Sequence, residues 1–256
     1  MTSLVQDRAQ YQRFIDMLPS LERDEVYFLS LSARNKYLTS AEREHFDLGR
    51  TEMFSRHIAR DKEGIEIALN KMQADLDVRR TRNGSRIPEK CLVVYMNIHP
   101  SSTTRAYRRF VEQMDRHYEE TFLGLLNGSR ADDMWIPFRR MPTVLMNHIQ
   151  KASSRKLLVD VDIDGHSPES SDWLLNEIEL FLGSHHVNRA VIKTQGGYHV
   201  LVPTDELNKS VPLFIKIAEL DKLTDGEVVF NSNAMVPLPG TLQAGKLVTI
   251  NYTEEE

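Results

Sequence analysis

Cysteine is almost missing from this chain: Cys91 is the only one in 256 residues. A single thiol excludes a disulfide framework and a cysteine-rich zinc site, and it points to a reducing compartment, the cytoplasm. Long apolar runs are missing too. None reaches membrane-spanning length, and the opening residues MTSLVQDRAQ lack the hydrophobic stretch of a secretory leader. The sequence has no Walker-type phosphate loop, no G-x-S-x-G elbow and no H-E-x-x-H pair, and His185-His186 has no partner at zinc-ligand spacing. An excess of positive charge is also lacking. Thirty-two Lys and Arg against 37 Asp and Glu leave −5, which excludes a protein that coats DNA with its whole surface. No repeat and no low-complexity tract interrupts the chain.

What is present is an ordinary globular composition, 41% hydrophobic and 27% charged, over enough residues for one large domain or two small ones. Basic residues cluster locally, at Arg79, Arg80, Arg82 and Arg86, at Arg105, Arg108 and Arg109, and at Arg139, Arg140, Arg155 and Lys156. Such clusters either grip phosphates or cap solvated helix ends.

Hydrophobic spacing divides the chain into three stretches, 1–87, 88–155 and 156–256. The first reads as mostly helical. Tyr11, Phe14, Ile15 and Leu18 recur at helical intervals before Pro19; Met53, Phe54 and Ile58 suggest another helix; Ile65, Leu69, Met72 and Leu76 form a clear stripe. Glu25 to Leu31 is a strand, and Arg79 to Pro88 is a loop. In the second stretch, an α/β module packed on the third, Cys91 to Ile98 is a buried strand. A helix capped by Ser101 or Ser102 follows, with Tyr107, Phe110, Met114, Tyr118, Phe122 and Leu125 on one face, and it ends at Asn127-Gly128.

The third stretch is the most legible. Leu157 to Ile163 is a strand, Ser170 or Ser171 opens a helix that closes at Gly183, and Val187 to Thr194 and Tyr198 to Val202 flank a Gln195-Gly196-Gly197 turn. Val211 to Leu220 is a helix, and a strand begins at Glu227. The order β-α-β-β-α-β predicts an α+β fold, an antiparallel sheet backed by two helices, with a largely helical region before it.

Strand alternation puts Leu157, Val159, Val161 and Ile163 on one face and Asp160, Asp162 and Asp164 on the other. Carboxylates at i and i+2 are close enough to share a cation, and without one they repel. Oxygen ligands favour Mg²⁺ or Mn²⁺, and a pair of such ions is the apparatus of in-line phosphoryl or nucleotidyl transfer. The second signal is Lys193-Thr194-Gln195-Gly196-Gly197-Tyr198-His199. Two glycines in a tight turn expose backbone N–H groups to an anion, lysine supplies a point charge and histidine a directional donor, and across a short hairpin the two side chains are expected to converge.

The hydrophobic D-h-D strand, the K-T-x-G-G-x-H hairpin after an intervening helix, and the later strand followed by a Pro-rich turn resemble the archaeo-eukaryotic primase superfamily. Ligase-associated polymerase domains and phage or plasmid primase-polymerases look most similar. The resemblance covers about residues 156 to 250. It implies an RRM-like catalytic palm, Asp160 and Asp162 on catalytic metal, and His199 on nucleotide phosphate with Lys193, Thr194, Gly196 and Gly197 nearby. It further implies nucleoside triphosphates and a single-stranded or primed nucleic acid as partners, with replication proteins beside them. The family carries a third carboxylate on a later strand; here the position falls to Glu227, to Asp225 before it, or to Asn231, whose amide would weaken metal binding. Lys246, after Pro237-Leu238-Pro239-Gly240, corresponds to a basic residue that meets template or triphosphate. Two other readings stand beside this one: a non-catalytic nucleic-acid-binding accessory protein that kept the fold, and a D-x-D glycosyltransferase.

Overall fold

The computed structural model describes residues 3–78, 81, 84–128, 135–206, 211–231 and 235–253. It is a mixed α+β fold built on two antiparallel sheets.

Helix α1 (Arg8–Met17) begins where the Asp7 carboxylate accepts from the N–H groups of Ala9 and Gln10, and it buries Tyr11, Phe14 and Ile15. Strand β1 (Glu25–Arg34) follows, then α2 (Ser40–Phe46), started by a capping box between Thr39 and Glu42. Residues Thr51–Ala59 form strand β2, not the helix that Met53, Phe54 and Ile58 suggest. The reason is a register shift between Leu31 and Ser32 in the β1–β2 ladder. The irregularity puts the adjacent residues Phe54 and Ser55 both inside and spoils the alternation that marks a strand. Helix α3 (Lys62–Val78) then buries Ile65, Ala68, Leu69 and Met72, as its stripe predicts.

Strand β3 (Leu92–Asn97) and the two-residue β4 (Ser101–Ser102) lead into the long α4 (Thr103–Leu126), which Ser102 caps by accepting from the Arg105 N–H. The inward face of α4 differs from expectation. Met114 and Ala106 are buried, whereas Tyr107, Tyr118, Phe122 and Leu125 are exposed. Among the described residues, Tyr118 meets the Phe138 ring, and Tyr107, Phe122 and Leu125 face solvent. Two helices, α5 (Ile136–Arg139) and α6 (Met141–Lys151), complete this part.

Strand β5 (Leu158–Ile163), α7 (Pro168–Ser184), β6 (Arg189–Lys193), β7 (Tyr198–Pro203), α8 (Val211–Thr224) and β8 (Val228–Asn231) follow in the expected order. Ser167, not Ser170 or Ser171, caps α7, with Pro168 at its first turn. The chain ends with β9 (Met235–Pro237), the hairpin β10 (Leu242–Gln243) and β11 (Lys246–Leu247), and β12 (Thr249–Thr253).

The first sheet has the order β2-β1-β3-β9, with β4 beside β1; the second runs β12-β6-β7-β5-β8. The first sheet therefore takes strands from all three stretches of the sequence. One core joins α1, α3 and the first sheet to Ala190, Ile192, Leu201 and Ile250 of the second. Another lies between the second sheet and α7 and α8, around Val161, Ile163, Leu174, Ile178, Val200 and Leu213. A third, smaller one packs Val26 and Phe28 of β1 against Ala106 and Ile149. No helix among the described residues is long and apolar enough to cross a membrane.

Candidate active site

On β5, Val161 and Ile163 enter the core under the helices, and Asp160 and Asp162 face the other way, as alternation requires. Strand β7 lies beside β5 with His199 directly opposite Asp162. The two carboxylates then take different places. Asp160 has no solvent exposure, and both its oxygens accept from His199 Nδ1, at 3.1 and 3.2 Å. Asp162 is a third exposed, 3.7 Å from the same nitrogen, and it lines a cleft between the two sheets.

The electrostatics follow from that layering. Burial works against charge on His199, but the Asp160 hydrogen bond, with Asp160, Asp162 and Asp164 charges around it, outweighs burial and raises its pKa above the ordinary imidazole value. The shift favours the protonated ring, and among the described residues the His199 hydrogen bonds go through Nδ1, leaving Nε2 toward the cleft. Burial, reinforced by Asp160 and Asp164, raises the pKa of Asp162, while His199 and Lys36 oppose the rise.

The cleft has a volume of about 240 Å³. Asp162, Asp164, Thr194, Gly196, Gly197, His199 and Asn231 line it from the side of the second sheet, and Arg34 and Tyr95 from the first sheet, with Lys36 from the turn that follows β1. A larger cavity, about 290 Å³, lies between the N-terminal segment, α3 and β3 and contains none of the predicted site residues.

Several expectations need correction. Lys193 does not converge with His199. In the hairpin Ile192 pairs with His199 and Lys193 with Tyr198, so lysine and histidine project from opposite faces. The Lys193 ammonium lies over the Tyr198 ring, 5.4 Å from its centre, and Tyr198 Oη donates to Asp172. The glycine turn does not offer free N–H groups to an anion either. Gly196 and Gly197 donate to Thr194 Oγ1 at 3.2 and 3.1 Å, and Gln195 donates to Gln243 Oε1 at 3.0 Å. The turn is a rigid cleft wall. Gly197 has no room for a side chain, since a Cβ there would lie 1.9 Å from the Ile163 carbonyl oxygen.

Of the three positions for a further metal ligand, Asn231 stands directly across from Asp160 and lines the cleft. The Glu227 carboxylate accepts from Ser170 Oγ and from the His166 backbone N–H, and contacts the His166 ring, at the start of α7. Asp225 is in the exposed turn before β8, at φ 53°. Lys246 is exposed on the hairpin strand opposite Gln243, which reaches the cleft where Lys246 does not. Of the basic clusters, Arg79, Arg80 and Arg82 lie outside the described residues. Arg105, Arg109 and Arg155 donate to backbone carbonyls of Ser153, Lys151 and Ser20.

Comparison with protein-family models, with curated proteins and with solved structures finds no match.

Among the described residues, no group of three His, Cys, Asp or Glu side chains is arranged to hold a metal ion. The donors nonetheless suit Mg²⁺ or Mn²⁺. Such ions are held by one or two carboxylates, with substrate phosphates and water completing the shell, not by an all-protein cage. Burial, and after it the Asp160 and Asp164 charges, disfavours a carboxylate anion at Asp162, a penalty that a bound cation would offset.

Proposed function

We propose that the chain is a metal-dependent nucleotidyltransferase of the primase-polymerase type, adding nucleotides from nucleoside triphosphates to a nucleic acid. The convergence of Asp162, His199 and the Thr194–Gly197 turn on one cleft, with the Asp160 carboxylate bonded to the back of the imidazole, carries this reading. The succession β5-α7-β6-β7-α8-β8, with neighbours β6-β7-β5-β8, supports taking this half as an RRM-like palm. The described strand pairs are all antiparallel, which speaks against the parallel nucleotide-binding domain of a D-x-D glycosyltransferase.

In this reading His199 Nε2–H donates to a phosphate oxygen. Asp160 fixes the ring plane and maintains its charge, so the donor is in position before substrate arrives. A divalent ion held by Asp162, with substrate phosphates and water completing its shell, would neutralise charge on the transferring phosphate. Asn231 beside Asp160, with Glu227 engaged at α7, favours a second reading, an accessory protein that binds nucleic acid without synthesis.

Incubation with Mn²⁺ or Mg²⁺, labelled nucleoside triphosphates and a single-stranded or primed template separates the two. Product growth that disappears in Asp162→Asn and His199→Ala is expected. Template binding with no product under any metal refutes transfer and leaves the accessory role.

A further inference from the structure

Arg34 ends β1 and reaches the cleft from the sheet opposite His199. It is half-buried, and among the described residues its hydrogen bond goes to a neutral group, Tyr95 Oη, at 2.9 Å. A guanidinium has five donors in a fixed fork, and one that is withdrawn from water normally meets a carboxylate or a phosphate. The nearby acid, Asp164, is 3.8 Å from Lys36 Nζ instead and is itself two-thirds exposed. The Tyr95 hydroxyl fixes the fork, because Tyr95 sits in β3 between β1 and β9 and cannot follow a mobile arginine.

Two cationic groups, Arg34 and Lys36, thus face the His199 imidazole across a space of about 240 Å³. That is below the ~300–1,000 Å³ of ordinary small-molecule sites. It suits a phosphate chain and leaves a sugar and base at the open mouth.

We infer that Arg34, with Lys36, forms a second phosphate-binding subsite across the cleft from His199, which takes the terminal phosphates of a triphosphate-bearing substrate. The inference rests on the reading of the cleft as a nucleotide site. It adds that the first sheet supplies half of that site, so the palm-like half alone is incomplete. A bidentate hydrogen bond from the Arg34 fork to one phosphate, and a point charge from Lys36 to the same chain, is the complementary chemistry.

The test is calorimetric titration of the full chain with inorganic tripolyphosphate in EDTA, which removes metal from the measurement. Wild type is expected to bind, Arg34→Gln to bind at least tenfold more weakly, and Arg34→Lys to recover part of the loss. Urea midpoints are measured alongside. Should Arg34→Gln unfold, the comparison rests on Arg34→Lys against wild type, where loss of the fork alone must weaken binding. Unchanged affinity in the folded variants, or no binding by wild type, overturns the subsite. Primer extension is run separately. Tripolyphosphate binding that depends on Arg34 in a chain that never extends a primer retains the subsite and removes nucleotidyl transfer. Extension whose KM for nucleotide is unmoved by Arg34→Gln retains transfer and removes the subsite.

Discussion

Asp160 and Asp162 carry the same functional group two positions apart, yet only Asp162 meets the cleft, while Asp160 acts through the imidazole it binds. The two are separable by their effect on the His199 titration. An Asn amide can still accept from Nδ1 but carries no charge, so with the ion pair gone burial dominates and Asp160→Asn is expected to drop the His199 pKa below the ordinary ~6.5. Asp162→Asn removes only a charge at 3.7 Å and leaves the ring bonded, so it should lower the value less. Imidazole NMR shifts followed against pH read both, and an Asp160→Asn value still above 6.5 contradicts the assignment. The sign for stability follows. A pKa raised on folding gives stabilisation that is complete below the unfolded value and is lost as pH rises through the folded one. The D-x-D alternation and the glycine turn made Asp160, Asp162 and His199 legible in the sequence. Lys193 was misplaced because a one-residue difference in hairpin register reverses a side chain's face. Tyr95 carried no local signal, since its place in the cleft depends on how two sheets meet.

At the scale of elements, the β6–β7 hairpin shows how much one turn determines. A methyl group on Gly197 would strike the Ile163 carbonyl, a backbone atom fixed by β5–β7 pairing, whereas one on Gly196 would meet Asp164 Oδ1 at 2.9 Å and Lys36 Nζ at 3.7 Å. Both latter groups end flexible side chains and can move. Gly197→Ala is therefore expected to cost about 2 kcal/mol or more, within the range of backbone-strain mutations, and Gly196→Ala well under about 1 kcal/mol. Urea unfolding of the two variants compares them directly, and equal midpoints would show that the turn yields to a side chain. The elements recognised from the sequence, α3 and β5 among them, have one uninterrupted period. Strand β2 and the face of α4 were misread for opposite reasons. The bulge between Leu31 and Ser32 breaks the period of β2, and α4 keeps an apolar period that the fold leaves in solvent at Tyr118 and Phe122.

Across the whole molecule, contacts of long sequence separation bind the first stretch to the chain entering β5. Glu25, 3% exposed at the start of β1, accepts from Arg155 Nε at 2.8 Å, from Ser154 Oγ at 2.5 Å and from the Glu22 N–H at 2.8 Å. Burial raises its pKa, but the Arg155, Glu22 and Ser154 hydrogen bonds outweigh burial and hold the group below the usual carboxylate range. A carboxylate depressed in this way stabilises the fold above its unfolded value, near ~4.3, and the contribution is lost as pH falls through the lower folded value. Arg155→Ala would leave the Glu25 charge buried against two remaining donors. It should cost about 3 kcal/mol at neutral pH, the low end for breaking a buried pair, because Arg155 is one-third exposed and partly screened. The same variant should lose less on acidification between about pH 5 and 3 than wild type does, since without Arg155 protonating Glu25 no longer breaks a pair. Urea midpoints of wild type and variant measured across that interval converge if Glu25 and Arg155 tie the two sheets together, and stay parallel if the pair contributes nothing.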